Sequence, residues 1–180
     1  MRRYVALLRG VNLGGRGRVP MADLRRLLEG LGHREVSTYL QSGNALFTAA
    51  RTDEDALCAE IEDAISREMG VSTRCLLRDG AELQRVVERN PLADVATNPA
   101  RLVVTFLLRP PDAAALAAVE PAKYAPIVLA PGEREMYGWY PDGFGKTPLA
   151  QAFFEKRLGG VVATARNWNT VTSLLAQLGS

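Results

Sequence analysis

Hydrophobic positions along the chain change period several times, and each change marks an element. Arg3 to Arg9 is a nearly unbroken apolar run, the pattern of a strand buried on both faces. From Pro20 to Leu31 the apolar residues Met21, Leu24, Leu27, Leu28 and Leu31 recur at helical spacing, with proline suited to the first position and Gly32 to the stop. Glu35 to Gln41 and Asn44 to Ala49 read as two short strands joined at Ser42-Gly43, a two-residue hairpin signal. Asp53 to Met69 carries Leu57, Ile61, Ile65 and Met69 on one helical side and stops at Gly70; Val71 to Arg78 closes the series as a strand.

The order βαββαβ then recurs. A helix at Ala81 to Arg89 and a loose stretch to Asn98-Pro99 lead to a strand at Arg101 to Leu108 and a helix near Asp112 to Val119. Strands at Ile127 to Ala130 and Glu135 to Tyr140 flank the turn Pro131-Gly132. A helix at Pro148 to Leu158, a strand at Val161 to Ala165 and a helix at Thr170 to Leu178 complete the chain. The expected fold class is α+β: two ferredoxin-like α-β plait units packed together, with an extra C-terminal helix. The expected domains are a unit at 1–80, a helical linker at 81–100 and a second unit with the terminal helix at 101–180.

Composition narrows this picture only at a few points. The 180 residues are 47% apolar and 23% charged, which describes a globular chain and excludes a membrane span. The apolar run after the first arginines is too short for a secretory signal, so the expected location is the cytoplasm. Cys58 shares a helical stripe with Ile61 and Ile65, and Cys75 alternates with Thr73 and Leu77; both read as buried, reduced thiols. With His33 the sole histidine and no C-x-x-C, no metal site is expected.

Charge changes the picture more. Residues 1–34 hold eight arginines against Asp23 and Glu29, a local excess of +6 in a chain of net +2. That excess surrounds LLRGVNLGGRGRVP, where four glycines fall within eight residues. In a βαββαβ sheet the first and third strands are antiparallel neighbours, so this loop and the turn Gln41-Ser42-Gly43-Asn44 belong at one edge. Arg9, Gly10, Asn12, Gly14, Gly15, Arg16, Arg18, Gln41, Ser42, Gly43 and Asn44 are therefore candidate ligand contacts. The helix behind the loop has no Ser, Thr, Asp or Asn before Pro20, which leaves its first amides open to an anion. The spacing matches no G-x-x-x-x-G-K-[ST] loop, since Arg16-Gly17 stands where lysine and a hydroxyl residue belong. Glycines used only to turn the backbone explain the loop equally well.

A second polar edge is expected in the other unit. Thr147 is placed to cap the helix starting at Pro148, Lys146 precedes it, and Arg166, Asn167 and Trp168 lie near the end of the last strand. Asn169 is positioned to cap the terminal helix, leaving Arg166 and Asn167 for a ligand and Trp168 either to pack beneath the helix or to stack a base.

The segments YVALLRGVNLGG, VPMADLRRLLEGLG, TYLQSGNALF, FFEKRLGG and ATARNWNTVTSLL, in this order, resemble the domain of unknown function 1697 family of bacterial proteins over nearly the whole chain. The resemblance implies paired α-β plait units and no established reaction, cofactor or catalytic residue. Where the family segment resembles G-[RK]-[ST]-K-L-T-N, this chain has Gly145-Lys146-Thr147-Pro148-Leu149-Ala150-Gln151, without the second lysine and the Thr-Asn pair.

Three functional readings remain. The first is a binding module for a phosphate-bearing ligand, a nucleotide or RNA, held by amides and arginines. The second is a small enzyme, with Ser42 or Tyr39 dependent on a nearby base and no catalytic set readable from spacing. The third is a protein-interaction or dimerisation module, a homo-oligomer included.

Overall fold

A computed structural model describes residues 1–179, and of Lys146 the backbone alone. In the first half, β1 (Arg2–Leu8), α1 (Met21–Gly30), β2 (Arg34–Tyr39), β3 (Asn44–Ala49), α2 (Glu54–Met69) and β4 (Cys75–Asp79) follow in sequence and lead into α3 (Gly80–Glu88). The strands form an antiparallel sheet in the order β2-β3-β1-β4, with Tyr4 of β1 opposite Phe47 of β3 and Asp79 of β4. β1 lies between β3 and β4, and its run Tyr4 to Leu8 is apolar without alternation and buried throughout.

Both helices lie on one face of this sheet. Leu24 and Leu28 of α1 and Leu57, Ile61 and Ile65 of α2 pack on Tyr4, Ala6, Leu8, Phe47 and Leu77. Each such side chain contributes about 1.5–3 kcal/mol on removal from water. α2 is bounded as its sequence asks: the Asp53 side chain accepts the Ala56 amide, and Gly70 ends the helix in the left-handed region at φ 66°.

The second half repeats the order with shorter helices. β5 (Leu102–Leu107), α4 (Ala113–Ala117), β6 (Val128–Pro131), β7 (Glu135–Trp139), α5 (Gln151–Arg157), β8 (Ala163–Asn167) and α6 (Trp168–Leu178) give a sheet ordered β6-β7-β5-β8, again antiparallel throughout. Single 3-10 turns precede β6 and α5. Val103, Leu107, Met136, Tyr140, Phe154 and Leu158 form its core. Among the described residues the molecule is thus mixed α+β, with two four-stranded antiparallel sheets and six α-helices. No helix among them is long and apolar enough to cross a membrane.

The last strand of each sheet runs directly into a helix, and a polar side chain makes the junction. Asp79 accepts the Glu82 amide while the Glu82 carboxylate accepts the Asp79 amide, a reciprocal cap for α3. Asn167 accepts the Thr170 amide at 3.0 Å and caps α6, the role the sequence reading assigned to Asn169. The chain divides into two compact units, residues 1–83 with the chain from Leu174 onward, and residues 84–173. These boundaries fall inside α3 and inside α6.

Candidate functional site

The glycine-rich loop leaves β1 under backbone control. The Arg9 amide donates to the Arg74 carbonyl at 2.9 Å, and the Arg9 carbonyl accepts the Thr73 hydroxyl at 2.8 Å. Beyond it the chain folds back on itself: the Asn12 amide donates to the Gly17 carbonyl and the Arg16 amide to the Leu13 carbonyl. Gly14 and Gly15 take the two corner positions at φ 54° and 84°, a turn of the mirror-image type that demands such residues. The loop is therefore a small ordered hairpin.

Asn12 bolts this hairpin down. Its side-chain oxygen accepts the Val19 amide at 2.8 Å, and its side-chain nitrogen donates to the carbonyls of Val19 at 2.9 Å and Gln41 at 2.7 Å. The side chain acts as a short stretch of extra strand, and it joins the loop to the β2–β3 turn. That turn is a four-residue loop, Leu40 to Gly43, rather than the expected Ser42-Gly43 pair, because Tyr39 pairs opposite Asn44. Gly43, at φ 84°, accepts the Leu8 amide on its carbonyl; a Cβ there would lie 2.6 Å from Val11 Cγ2 and 2.9 Å from Leu8 Cβ. Asn44 is fully buried and donates to the Tyr39 carbonyl and the Ser42 hydroxyl.

Loop and turn thus lie side by side, but several candidate contacts are already engaged within the protein. Asn12, Gly43 and Asn44 hold the backbone together. Gly10, Gly14, Gly15, Arg16, Arg18, Gln41 and Ser42 are exposed, and Arg9 is half-buried. Arg16 and Arg18 have no carboxylate within bridging distance among the described residues, whereas Arg3 faces Glu35 at 3.3 Å and Arg74 faces Glu62 at 3.1 Å. The Pro20 position contributes no side-chain cap to α1.

The second polar edge is used differently. β8 extends to Asn167, two residues past its expected end, and takes Arg166 into the sheet. Arg166 is 6% exposed, and its guanidinium donates to the Thr164 hydroxyl and the Ala165 carbonyl, each at 2.8 Å. Burial pushes its pKa down to about 10, which leaves it charged at neutral pH. With Asn167 capping α6, neither residue is left over for a ligand in the way the sequence suggested. Thr147 accepts the Leu149 amide instead of capping a helix, and α5 begins only at Gln151, after Ala150, with no side-chain cap. The side chain of Lys146 lies outside the described residues. Trp168, half-buried at the start of α6, borders a cavity of about 310 Å³ formed with Val87, Glu88, Asn90, Ala96 and Leu102. Sequence reasoning passed over Glu88 and Asn90, whose only signal was a helix end followed by proline.

Among the described residues, the two cysteines and the histidine are buried. Cys58 and Cys75 are free, buried and adjacent; the neighbouring thiol and burial together push Cys75 well above the ordinary thiol range. His33 is 9% exposed, stacks on Phe47 with ring centroids 4.6 Å apart, and is lowered in pKa by burial. No group of three or more metal-ligating side chains occurs among the described residues. Leu13 and Leu40, each adjacent to one partner of the Asn12–Gln41 bond, are 61% and 53% exposed, an apolar feature of the rim that its polar sequence context concealed.

A family model described as a protein of unknown function (DUF1697) matches residues 1–137, and the chain belongs to that family. No curated protein matches. Among solved structures, the conserved bacterial protein SP0830 from Streptococcus pneumoniae is similar to this chain, with a TM-score of 0.73 and 24% identity over 98% of each chain. At that identity the likeness is one of fold.

Proposed function

We propose, taking that membership as the starting point, that the protein binds a phosphate-bearing ligand, a nucleotide or RNA, on the rim formed by the Arg9–Val19 hairpin and the Leu40–Gly43 turn. Its place of action is the cytoplasm, and each of its units is a ferredoxin-like plait, a reading supported by the strand orders β2-β3-β1-β4 and β6-β7-β5-β8. The observation that carries the functional reading is the pair Arg16 and Arg18, exposed and, among the described residues, without carboxylate partners, on a hairpin that Asn12 fixes in place. A guanidinium fork matches phosphate oxygens in two-point fashion, and a hairpin already ordered loses little backbone freedom when it binds. The exposed amides of the Gly14-Gly15 corner add donors beside those forks.

Equilibrium titration with adenosine triphosphate and with a short single-stranded RNA, each repeated over a range of salt, tests this. The expected result is saturable binding of at least one of them that weakens steeply with salt and falls about tenfold or more in the double variant Arg16→Ala, Arg18→Ala. Binding by the double variant at wild-type strength, or none by the wild type, overturns the reading.

A further inference from the structure

We propose that the cavity beside Trp168 is a second binding site, for a planar nitrogen heterocycle carrying an exocyclic amino group and no phosphate, such as an aminopurine base. The proposal is independent of the phosphate-binding reading, since it uses no residue of the hairpin or of the β2–β3 turn. The cavity is about 310 Å³, at the small end of the range for ligand pockets. Its wall is the half-buried indole of Trp168, and Leu102, 2% exposed, and Val87 add apolar surface. Such an indole gives a flat partner a stacking surface.

The polar groups around the cavity divide into donors and acceptors. The Trp168 indole N–H and the Asn90 side-chain nitrogen have no acceptor among the described residues, while Asn90 Oδ1 is engaged by the Leu92 amide. The acceptor is the exposed carboxylate of Glu88, the last residue of α3, held by Gln84 Nε2 at 2.6 Å. The neighbouring cation Arg89 is paired with Glu133, so it does not neutralise Glu88. A ring that offers an amino group to the carboxylate and a ring nitrogen to the indole or amide donors satisfies both sets. A phosphate beside Glu88 is repelled.

The site is preformed. The segment after α3 is stitched by the Ala96 amide to the Leu92 carbonyl and by the Ala100 amide to Asn98 Oδ1, with Leu92 buried beneath it. Rigid walls lower the ordering cost of binding a small rigid molecule.

Equilibrium dialysis of the full chain against adenine, with adenosine monophosphate as the charged counterpart, tests the assignment. The expected result is saturable adenine uptake, at least about fivefold tighter than for the monophosphate, and reduced about tenfold by Trp168→Ala through loss of one stacking interaction. Glu88→Gln should weaken adenine and collapse the preference over the monophosphate. If Trp168→Ala unfolds, Ala96→Phe, which fills the cavity, should have the same effect on adenine. Arg16→Ala with Arg18→Ala should leave adenine binding unchanged, which separates failure here from failure at the rim. Absence of saturable adenine uptake, preference for the monophosphate, or wild-type uptake by folded Trp168→Ala or Ala96→Phe overturns the proposal.

Discussion

Two stretches of this chain look alike as sequence and part company in three dimensions. Arg9 to Arg18 and Arg166 to Trp168 both come at the end of an apolar strand-like run, and both combine arginine, amide and small or aromatic residues. In the first, the asparagine turns inward to hold the backbone and Arg16 and Arg18 stay in solvent. In the second, the arginine is buried and the asparagine caps a helix, so what remains at the surface is an indole. The difference lies in strand length. β1 ends at Leu8 before its arginine, and β8 continues through its own. An arginine buried within a strand must find partners inside the protein, and Arg166 finds Thr164, two residues back on the same face, together with the carbonyl of Ala165.

The same arrangement occurs once more, which argues that it is structural. Arg78 in β4 lies opposite Val5 as Arg166 in β8 lies opposite Val104, is 1% exposed, and donates to the carbonyl of the preceding residue, Leu77. Each is followed by a capping residue, Asp79 or Asn167, and a helix. The sharpest way to break the comparison is therefore to truncate the arginines. Arg166→Ala should lower stability by about 3 kcal/mol, because it empties a packed site and strips a hydroxyl and a carbonyl of their charged donor. Arg16→Ala should stay within about 0.5 kcal/mol of wild type. Urea denaturation midpoints decide; equal effects would mean that the two arginines are not differently placed.

How much of this was legible beforehand follows from the same contrast. The apolar run of β1, the stripe of α1 and the bounded helix α2 could be read because each encodes a face and a stop: Leu24, Leu28, Ile61 and Ile65 have one place to go. The juxtaposition of the hairpin and the β2–β3 turn followed from element order alone. What could not be read was the allocation of polar residues between the protein and solvent. Arg166 and Arg18 are the same residue type near the same kind of edge, and local pattern does not say that β8 runs two residues further. Nor does a Thr-Pro dipeptide tell a helix cap from the Thr147–Leu149 turn that delays α5 to Gln151. The repeat itself was faintly present as Leu77-Arg78-Asp79 and Ala165-Arg166-Asn167, too short to recognise before the two strand-helix junctions could be compared.

A smaller effect tests the fixed side of the open edge. Asn12→Ala removes three hydrogen bonds, to Val19 twice and to Gln41, and places a Cβ-bearing residue without a polar side chain at φ 56°. The loss should be about 2 kcal/mol, and it should appear locally as faster amide exchange at Val19. Unchanged exchange would show that the hairpin does not need Asn12, and the contrast between an ordered, outward-facing edge and an inward-facing one would lose its structural half.

The smallest effect asks what burial does to a cationic side chain when partners are missing. Arg166 is buried with partners and keeps its charge. His33 is buried against Phe47 with its Nε2 lacking a hydrogen-bond partner among the described residues, and burial lowers its pKa against the weaker opposing pull of Glu60. The unfolded chain therefore takes up a proton near pH 6.5 that the folded protein refuses until the pH is lower. With more protons bound in the unfolded state, stability must fall as the solution is acidified through that window, by at most about 1.4 kcal/mol per pH unit. His33 is the only histidine, so urea midpoints measured between pH 7.5 and 5.5 should drop by the equivalent of about 1 kcal/mol or less, and His33→Phe should flatten the profile. A profile already flat in the wild type would show that His33 accepts its proton in place, and burial alone would then not separate it from Arg166.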